Sequence, residues 1–181
     1  MGNAPCSWGA LEFEAGGQTP DFSQVLDEMA AAGYAGTELG DWGFMPTDPA
    51  TLKGELDRRR LALIAAFVPV ALTDASEHDR GVGRGLQVAG LLAAAGDGAV
   101  LVLSDDTARD PARAERAGRV RAEDSLDARG WETLVCGAER IARAVREATG
   151  LRTVFHHHCA TFVETPWEID TLMERTDPAL L

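Results

Sequence analysis

The chain has 181 residues, with 29 acidic against 17 basic side chains, a formal net charge of −12 at pH 7, and 45% hydrophobic residues. This apolar share is enough for a packed core in one ordinary domain and excludes disordered and fibrous classes. The acidic balance argues against a general nucleic-acid or anionic-membrane binder, because the mean field repels polyanions. Without a secretory signal, a membrane-length apolar run or a CxxC spacing, the sequence predicts a cytoplasmic protein with reduced thiols.

Short apolar runs alternate with amphipathic stretches along the chain. Strands are predicted at residues 3–8, 34–40, 61–70, 99–103 and 151–158. Helices are predicted from about residues 22, 49, 79, 131 and 166, each with apolar residues on one face. Their start signals are Asp21 with Gln24 as a capping box, Asp48 before Pro49, and Thr165-Pro166 with Glu168 as a second capping box.

Five strand-helix units in order indicate an α/β fold, with parallel strands joined by right-handed crossovers. Two architectures compete at this point: an open doubly wound sheet and part of a (β/α)8 barrel. The nucleotide-binding form of the open sheet loses support, because no GxGxxG follows the first strand and no Walker motif occurs. The glycines at 81, 83 and 85 lie in a predicted helix and are interpreted as tolerated helical glycines, not as a phosphate loop.

Three consecutive histidines stand at the end of the fifth predicted strand, and ligands gather at the carboxyl ends of strands in both architectures. Alternation along a strand would place His156 and His158 on one face and His157 on the other. Two imidazoles spaced in this way can reach one divalent ion. We therefore predict His156 and His158 as metal ligands and catalytic groups, and His157 as a substrate contact.

Four more side chains are candidates at strand ends. Glu38 is a general base, a hydrogen-bond acceptor for a polyol, or a solvated strand-end residue. Trp8 supplies an apolar wall for a sugar ring or belongs to the core. Asp105 and Asp106, placed after the fourth strand, bind substrate hydroxyls or a cation, or simply start a loop.

The segment from about 104 to 130 is long for a connection inside a compact domain and contains six arginines interleaved with acids. Segments of this length are usually lids or binding loops. Its arginines either cover a negatively charged group or lie on an exposed, salt-bridged surface helix, and the second interpretation is the favoured one.

Three segments resemble the xylose-isomerase-like TIM-barrel superfamily, which contains sugar phosphate isomerases and epimerases. They are NAPCSWG at 3–9, GYAGTELG at 33–40, and the stretch at 155–170 in which HHH-x-x-T is followed by E-T-P-x-E-I-D. Within that superfamily the resemblance is to the inosose (2-keto-myo-inositol) dehydratase branch. It spans essentially the whole chain, and the histidine segment is its most specific part.

The resemblance implies a (β/α)8 TIM barrel and an enzyme that uses a divalent metal, Mn²⁺ or Co²⁺, on a small polyol or keto-sugar. It implies dehydration of 2-keto-myo-inositol through an enediolate, in the cytoplasm. His156 would occupy the metal-ligand position of the fifth strand with His158 beside it, and the remaining ligands would lie beyond Leu181. Since such a barrel usually needs roughly 250 residues, residues 1–181 are expected to form a single partial domain of about five units.

Two other functions stay open. If no hydroxyl is expelled and the proton returns to another carbon or face, the same proton transfer gives a sugar or sugar phosphate isomerase or epimerase. Alternatively, the chain is an inactive fragment or a sugar-binding module that lacks the later ligands. An open five-strand sheet exposes its edges, so we expect a second copy or a C-terminal portion to cover them.

Overall fold

The computed structural model describes residues 1–10, 20–107 and 109–181. Its helices are α1 (Phe22–Ala31), α2 (Pro49–Asp57), α3 (His78–Ala95), α4 (Pro111–Glu115), α5 (Ala128–Thr149) and α6 (Pro166–Arg175). Its strands are β1 (Gly2–Asn3), β2 (Gly36–Glu38), β3 (Ala62–Val70), β4 (Val100–Asp105) and β5 (Arg152–Phe155). The strands are hydrogen-bonded in sequence order, and β1 pairs with β2, and β2 with β3, in parallel. The predicted α/β class is confirmed.

The first strand is much shorter than predicted, because most of residues 3–8 form a 3-10 turn. Pro5 begins that turn, which runs to Trp8. Proline has no N–H to give to a strand ladder and fits the first turn of a helix. The Asn3 side chain also accepts hydrogen bonds from the Ala4 backbone N–H and the Ser7 hydroxyl, both at 2.8 Å. These local bonds take the place of strand pairing.

The fourth and fifth strands end at other residues than predicted. β4 continues through Ser104 and Asp105, which are both buried, so Asp105 is the last strand residue. β5 ends at Phe155, and the histidines follow it. The His156 backbone N–H still bonds to the Leu103 carbonyl at 2.8 Å. The chain then turns, and the placement of His156 and His158 on one strand face was wrong because these residues are not in a strand.

Two of the three predicted helix caps form. Asp48 accepts from the Thr51 backbone N–H at 2.8 Å, and Thr165 and Glu168 make the reciprocal bonds of a capping box at the start of α6. Asp21 makes no side-chain capping bond. The predicted capping box of Asp21 and Gln24 is therefore wrong. The Gln24 side chain donates instead to the Glu28 carboxylate at 2.9 Å, one turn further along the helix.

A short helix lies within segment 104–130, for which a surface helix was the favoured interpretation. α4 begins after Asp110, whose side chain accepts from the Arg113 backbone N–H at 2.9 Å, and Pro111 follows the cap. The Asp-Pro pair that predicts α2 therefore recurs at α4. The sequence therefore contains the start signal of this helix at Asp110 and Pro111, although the predicted helix starts did not include it.

The chain divides into two compact units, and the prediction of one partial domain over 1–181 stays a prediction. The first unit comprises Met1–Phe67 and Gln87–Leu101, and the second comprises Val68–Leu86 and Val102–Leu181. Buried aliphatic residues of the first unit include Val25, Leu26, Leu52, Leu63 and Leu92. Those of the second include Val68, Leu103, Leu134, Ile141 and Leu172. Among the helices described, none is long and apolar enough to cross a membrane.

Candidate active site

The three histidine rings cluster just after β5, in the second unit. The centroid of the His156 ring lies 5.7 Å from that of His158 and 5.9 Å from that of His157. His156 and His157 are stacked, with 25° between their planes, while His158 is tilted by 51°. The predicted juxtaposition of His156 and His158 is therefore present, although His157 lies equally close.

The tautomer of His158 follows from its surroundings. Its Nδ1 lies 2.9 Å from the backbone carbonyl oxygen of Cys159, which only accepts hydrogen bonds. In the neutral ring, Nδ1 therefore carries the proton and Nε2 keeps a free lone pair. Partial burial, and then the charges of His158 and His157, lower the pKa of His156 below its ordinary value, which favours the neutral ring. Neutral imidazole is the form that binds metals.

A cleft of about 450 Å³ lies beside the histidines, and we call it the histidine cleft. One wall contains Gly118 and Val120, from the segment between α4 and α5. The other wall contains His157, His158, Cys159, Glu164, Thr165 and Pro166. The Glu164 carboxylate spans the walls, since it accepts from the backbone N–H of Gly118 at 2.5 Å and from that of Ala160 at 2.7 Å.

Asp105 is buried at the carboxyl end of β4, with only 2% of its surface exposed. One carboxylate oxygen accepts from the Leu72 backbone N–H and the other from the Phe162 backbone N–H, each at 3.1 Å. Burial is the main cause that raises the pKa of Asp105 to about 6, against these hydrogen bonds, which lower it. Both oxygens thus serve the backbone of the protein itself, and the predicted contact with substrate stays a prediction.

Asp106 is half-buried, one residue past the end of β4. Its carboxylate accepts from Nε of Arg109 at 2.8 Å, and both side chains of this pair face solvent in part. Surface pairs of this kind contribute little to stability. Asp106 therefore has the exposure that a substrate contact requires, and that role also stays a prediction.

Glu38 is the last residue of β2, in the first unit. Its neighbours Thr37 and Leu39 are buried, while Glu38 is half-buried. The register of β2 against β3 shifts between Thr37 and Glu38, a bulge of the kind that re-aims side chains near active sites. Partial burial raises the pKa of Glu38 above its ordinary value, which favours proton uptake.

Trp8 also belongs to the first unit. Its indole N–H donates to the Glu28 carboxylate at 2.6 Å, and its ring meets Tyr34 edge to face with centroids 6.5 Å apart. The ring is half-buried. The indole nitrogen is therefore already bonded to Glu28 of α1, and the predicted apolar wall would have to be formed by the exposed part of the ring.

The preference for an exposed arginine surface on segment 104–130 is wrong for Arg113. This side chain is 1% exposed and forms an ion pair with the fully buried Glu168 at 2.8 Å. Reasoning from the sequence identified Glu168 only as a helix-capping residue. No pattern separates Arg113 from the five other arginines of the segment, because the acid that it meets is 55 residues away.

Within the described ranges, His, Cys, Asp and Glu side chains form no group of three or more that could hold a metal ion. The assignment of His156 and His158 as metal ligands therefore stays a prediction. The sequence expectation placed the further ligands beyond Leu181.

Comparison with protein-family models gives no match. Individual sequences do match. The chain is 33% identical over 178 residues to an inosose dehydratase of Lacticaseibacillus casei, and 34% identical over 184 residues to one of Geobacillus kaustophilus. These alignments cover 98% and 100% of this chain but 58% of each relative. The chain therefore spans under two thirds of the length of these curated relatives.

Solved structures with this fold have low sequence identity to the chain. A probable 3-DHS dehydratase of Bacillus anthracis superposes with a TM-score of 0.72 at 13% identity, over all of this chain and 60% of that one. A xylose isomerase-like TIM barrel protein of Mycobacterium smegmatis, in complex with magnesium, gives 0.63 at 11% identity, over 96% and 60%. A D-allulose 3-epimerase of Methylomonas, in complex with D-allulose, gives 0.60 at 17% identity, over 96% and 57%.

The fold is thus that of part of a TIM barrel of the xylose-isomerase-like type, as predicted. Over its full length the chain is similar in sequence to inosose dehydratases, and the resemblance drawn from its motifs is confirmed.

Proposed function

We propose that this chain supplies the substrate- and metal-binding residues of a lyase that removes water from 2-keto-myo-inositol in the cytoplasm. Two lines of support come from its homology to inosose dehydratases and from the solved barrels of its fold, which include a dehydratase. The observation that carries the proposal is the pairing of His156 and His158 after β5, with ring centroids 5.7 Å apart.

The two histidines fit a divalent transition metal. A metal–nitrogen bond is about 2 Å long, so rings at this separation can both bond one ion. The Nδ1–H of His158 donates to a backbone carbonyl, the arrangement that orients metal-binding imidazoles in many proteins. We therefore assign His156 and His158 as the ligands that this chain contributes to Mn²⁺ or Co²⁺.

When bound, the metal would polarise the ketone and its neighbouring hydroxyl and acidify the proton between them. The residues of the chain have separate roles in this chemistry. Glu38, with its raised pKa, removes that proton as general base. His157 and Asp106 bind substrate hydroxyls, and the Trp8 ring packs against the apolar face of the substrate ring. The hydroxyl on the next carbon then leaves with the proton that Glu38 holds, so that water is lost and the enol of the dione remains.

The test is incubation of the 181-residue chain with Mn²⁺ or Co²⁺ and 2-keto-myo-inositol in D₂O, followed by NMR and mass spectrometry. Loss of one water, with a dione that carries a deuterated methylene, supports the dehydratase. Glu38→Gln should lower this rate by about a hundredfold or more, since a positioned general base contributes at least that much. Glu132→Gln, on an exposed position of α5, is the matched control and should leave the rate unchanged.

The runner-up is an isomerase or epimerase, which the D-allulose 3-epimerase among the solved barrels favours. In the same experiment, deuterium entering next to the ketone without loss of water, together with a second ketose, would reverse the ranking. If the chain gives neither product and binds Mn²⁺ no better than the His156→Ala, His158→Ala double variant, it is an inactive piece or a sugar-binding module. That a second copy or a C-terminal portion covers the sheet edges stays a prediction.

A further inference from the structure

Arg113 and Glu168 form a buried ion pair that the proposed chemistry does not use. Two guanidinium nitrogens of Arg113 donate to the two carboxylate oxygens of Glu168, Nη1 at 2.8 Å and Nη2 at 3.0 Å. Arg113 is 1% exposed and Glu168 is fully buried. This fork-to-fork arrangement fixes the direction of both side chains as well as the distance between them.

The remaining donors of Arg113 bind two further segments. Its Nε donates to the Thr161 carbonyl at 2.7 Å, and Nη1 also donates to the Asp124 carbonyl at 2.9 Å. The guanidinium carbon lies 5.0 Å from the centroid of the Phe162 ring. One side chain of α4 therefore holds a turn before α5 and the segment that follows the histidines.

Glu168 extends the same network into the start of α6. Besides Arg113, its carboxylate accepts from the backbone N–H groups of Glu164 and Thr165, both at 3.0 Å. Glu164 in turn bridges to Gly118 and Ala160. The hydrogen bonds therefore run without a gap from Arg113, through Glu168, to the rim of the histidine cleft.

Both walls of the histidine cleft are attached to this network. Gly118 and Val120 lie between Arg113 and Asp124, which the Arg113 side chain joins. The residues of the opposite wall lie between His157 and Pro166, and Thr161, whose carbonyl accepts from Arg113, belongs to the same segment. A movement of Arg113 would therefore change the position of both walls together.

Stability alone does not explain why the Arg113–Glu168 pair is present. A buried ion pair is often no more stabilising than well-packed apolar side chains of the same volume. An apolar pair, however, could not bond two carbonyls and two backbone N–H groups at once. The geometry points to Arg113 as a positioning residue: with Glu168 it fixes the width of the histidine cleft and the direction of His157 and His158. Residues 113–124 are then a fixed wall of the site and not a lid that opens and closes.

The positioning role is tested with Arg113→Lys in the 181-residue chain. Lysine keeps the charge but presents one point donor in place of the planar fork. The matched control is Arg59→Lys, because the Arg59 side chain is also mostly buried and bonds to two carboxylates, those of Asp27 and Glu55, in the first unit. Amide hydrogen exchange and the histidine-ring NMR signals are measured for both variants, with melting temperatures.

Arg113→Lys should accelerate exchange at the amides of 117–120 and 161–165 by about tenfold or more, the effect of losing one charge-assisted hydrogen bond. The ring signals of His157 and His158 should shift. Arg59→Lys should leave both regions and both rings unchanged. If the two variants lower the melting temperature but give the same exchange and ring signals in these regions, Arg113 only stabilises the fold and the inference is overturned.

A second variant keeps the inference testable if Arg113→Lys does not fold. Glu164→Ala removes the bridge between the walls at a half-exposed position. It should speed exchange at 117–120 while leaving the melting temperature nearly unchanged, whereas unaltered exchange there would contradict a cleft of fixed width.

The consequence for catalysis rests on the proposed function and is measured separately. With 2-keto-myo-inositol, a folded Arg113→Lys variant should raise KM more than it lowers kcat, because the cleft loses its shape while Glu38 is unchanged. Absence of turnover in the unmodified chain would reject the proposed function. The positioning role of Arg113 would then be tested by the hydrogen-exchange and NMR results alone.

Discussion

The Asp105 carboxylate accepts a hydrogen bond from the Phe162 backbone N–H at 3.1 Å, which joins the end of β4 to the segment behind the histidines. Its second oxygen accepts from the Leu72 backbone N–H, just past β3. A carboxylate with 2% exposure and no cation bonded to it is unusual, because desolvation disfavours its charge. Asp105 thus joins the end of β4 to residues after β3 and behind the histidines, although the burial of its charge is unfavourable.

This cost predicts how stability depends on pH. Burial raises the pKa of Asp105 from 3.8 to about 6, so between these values the folded chain binds the proton more tightly than the unfolded chain. The stabilisation is fully present below pH about 4 and is lost as pH rises through about 6, and it amounts to about 3 kcal/mol. Denaturant unfolding of the chain and of Asp105→Asn, compared from pH 4 to 7, measures it.

The comparison uses the difference between the two proteins, because the other carboxylates titrate in both. The unfolding free energy of the unmodified chain should fall relative to that of Asp105→Asn as pH rises from 4 to 7. In Asp105→Asn the amide nitrogen cannot accept one of the two backbone hydrogen bonds. The resulting loss of unfolding free energy does not vary with pH. A difference that stays constant over this range would contradict a raised pKa for Asp105.

The metal assignment predicts unequal effects of the three histidines. His156→Ala and His158→Ala should each weaken Mn²⁺ binding by at least about tenfold, since each would remove a ligand. His157→Ala should change the affinity little, and it serves as the control because His157 is an exposed neighbour in the same turn. Isothermal titration with Mn²⁺ measures all three. An equal loss in the three variants would show that the cluster binds the metal without the proposed division of roles.

Ala160 has a φ of +66°, a left-handed conformation that non-glycine residues rarely adopt. Glycine adopts it without steric cost, so Ala160→Gly should leave the chain unchanged or stabilise it by up to about 1 kcal/mol. The control is Ala144→Gly, at a half-buried interior position of α5, which should destabilise by about 1 kcal/mol. Denaturant midpoints compare the two, and equal destabilisation would argue against strain at Ala160.

Two glycines of α3, Gly81 and Gly83, should respond in opposite ways to substitution by alanine. At Gly81 an added Cβ would lie 2.6 Å from Cγ1 of Val70 and 3.0 Å from Cδ1 of Ile141, so Gly81→Ala should destabilise by about 1–3 kcal/mol through overpacking. At Gly83 nothing lies within 4 Å. Gly83→Ala should therefore stabilise by about 1 kcal/mol, because alanine is the better helix former. Thermal unfolding distinguishes them, and a stabilising Gly81→Ala would show that the helix shifts easily.

Several features could be predicted from residues that are near neighbours in the chain. The run at 61–70 gave β3 almost to the residue, and Asp48 and Thr165 marked helix starts that the structure contains. Local hydrogen bonds and apolar periodicity determine such elements, and both are visible in a short window of sequence. The clustering of His156 and His158 was predictable for the same reason, since the two are separated by one residue.

The errors at the site arise where distant residues decide the structure. Asp105 was expected in a loop because aspartate is common in turns, yet backbone N–H groups at Leu72 and Phe162 hold it inside β4. Arg113 was expected on the surface because it stands among five other arginines. Its burial depends on Glu168, 55 residues away, and no local pattern records that pairing.

The sequence alone therefore determined the α/β class, most helix starts and the similarity to inosose dehydratases, and it predicted the histidine triplet as the site of chemistry. Only the tertiary structure decided that these histidines follow the strand, that Asp105 serves backbone groups, and that a buried Arg113–Glu168 pair holds the cleft beside them. The physical reason is desolvation. A charged side chain is buried only where its partners are already in place, and those partners come from separate elements that folding alone brings together.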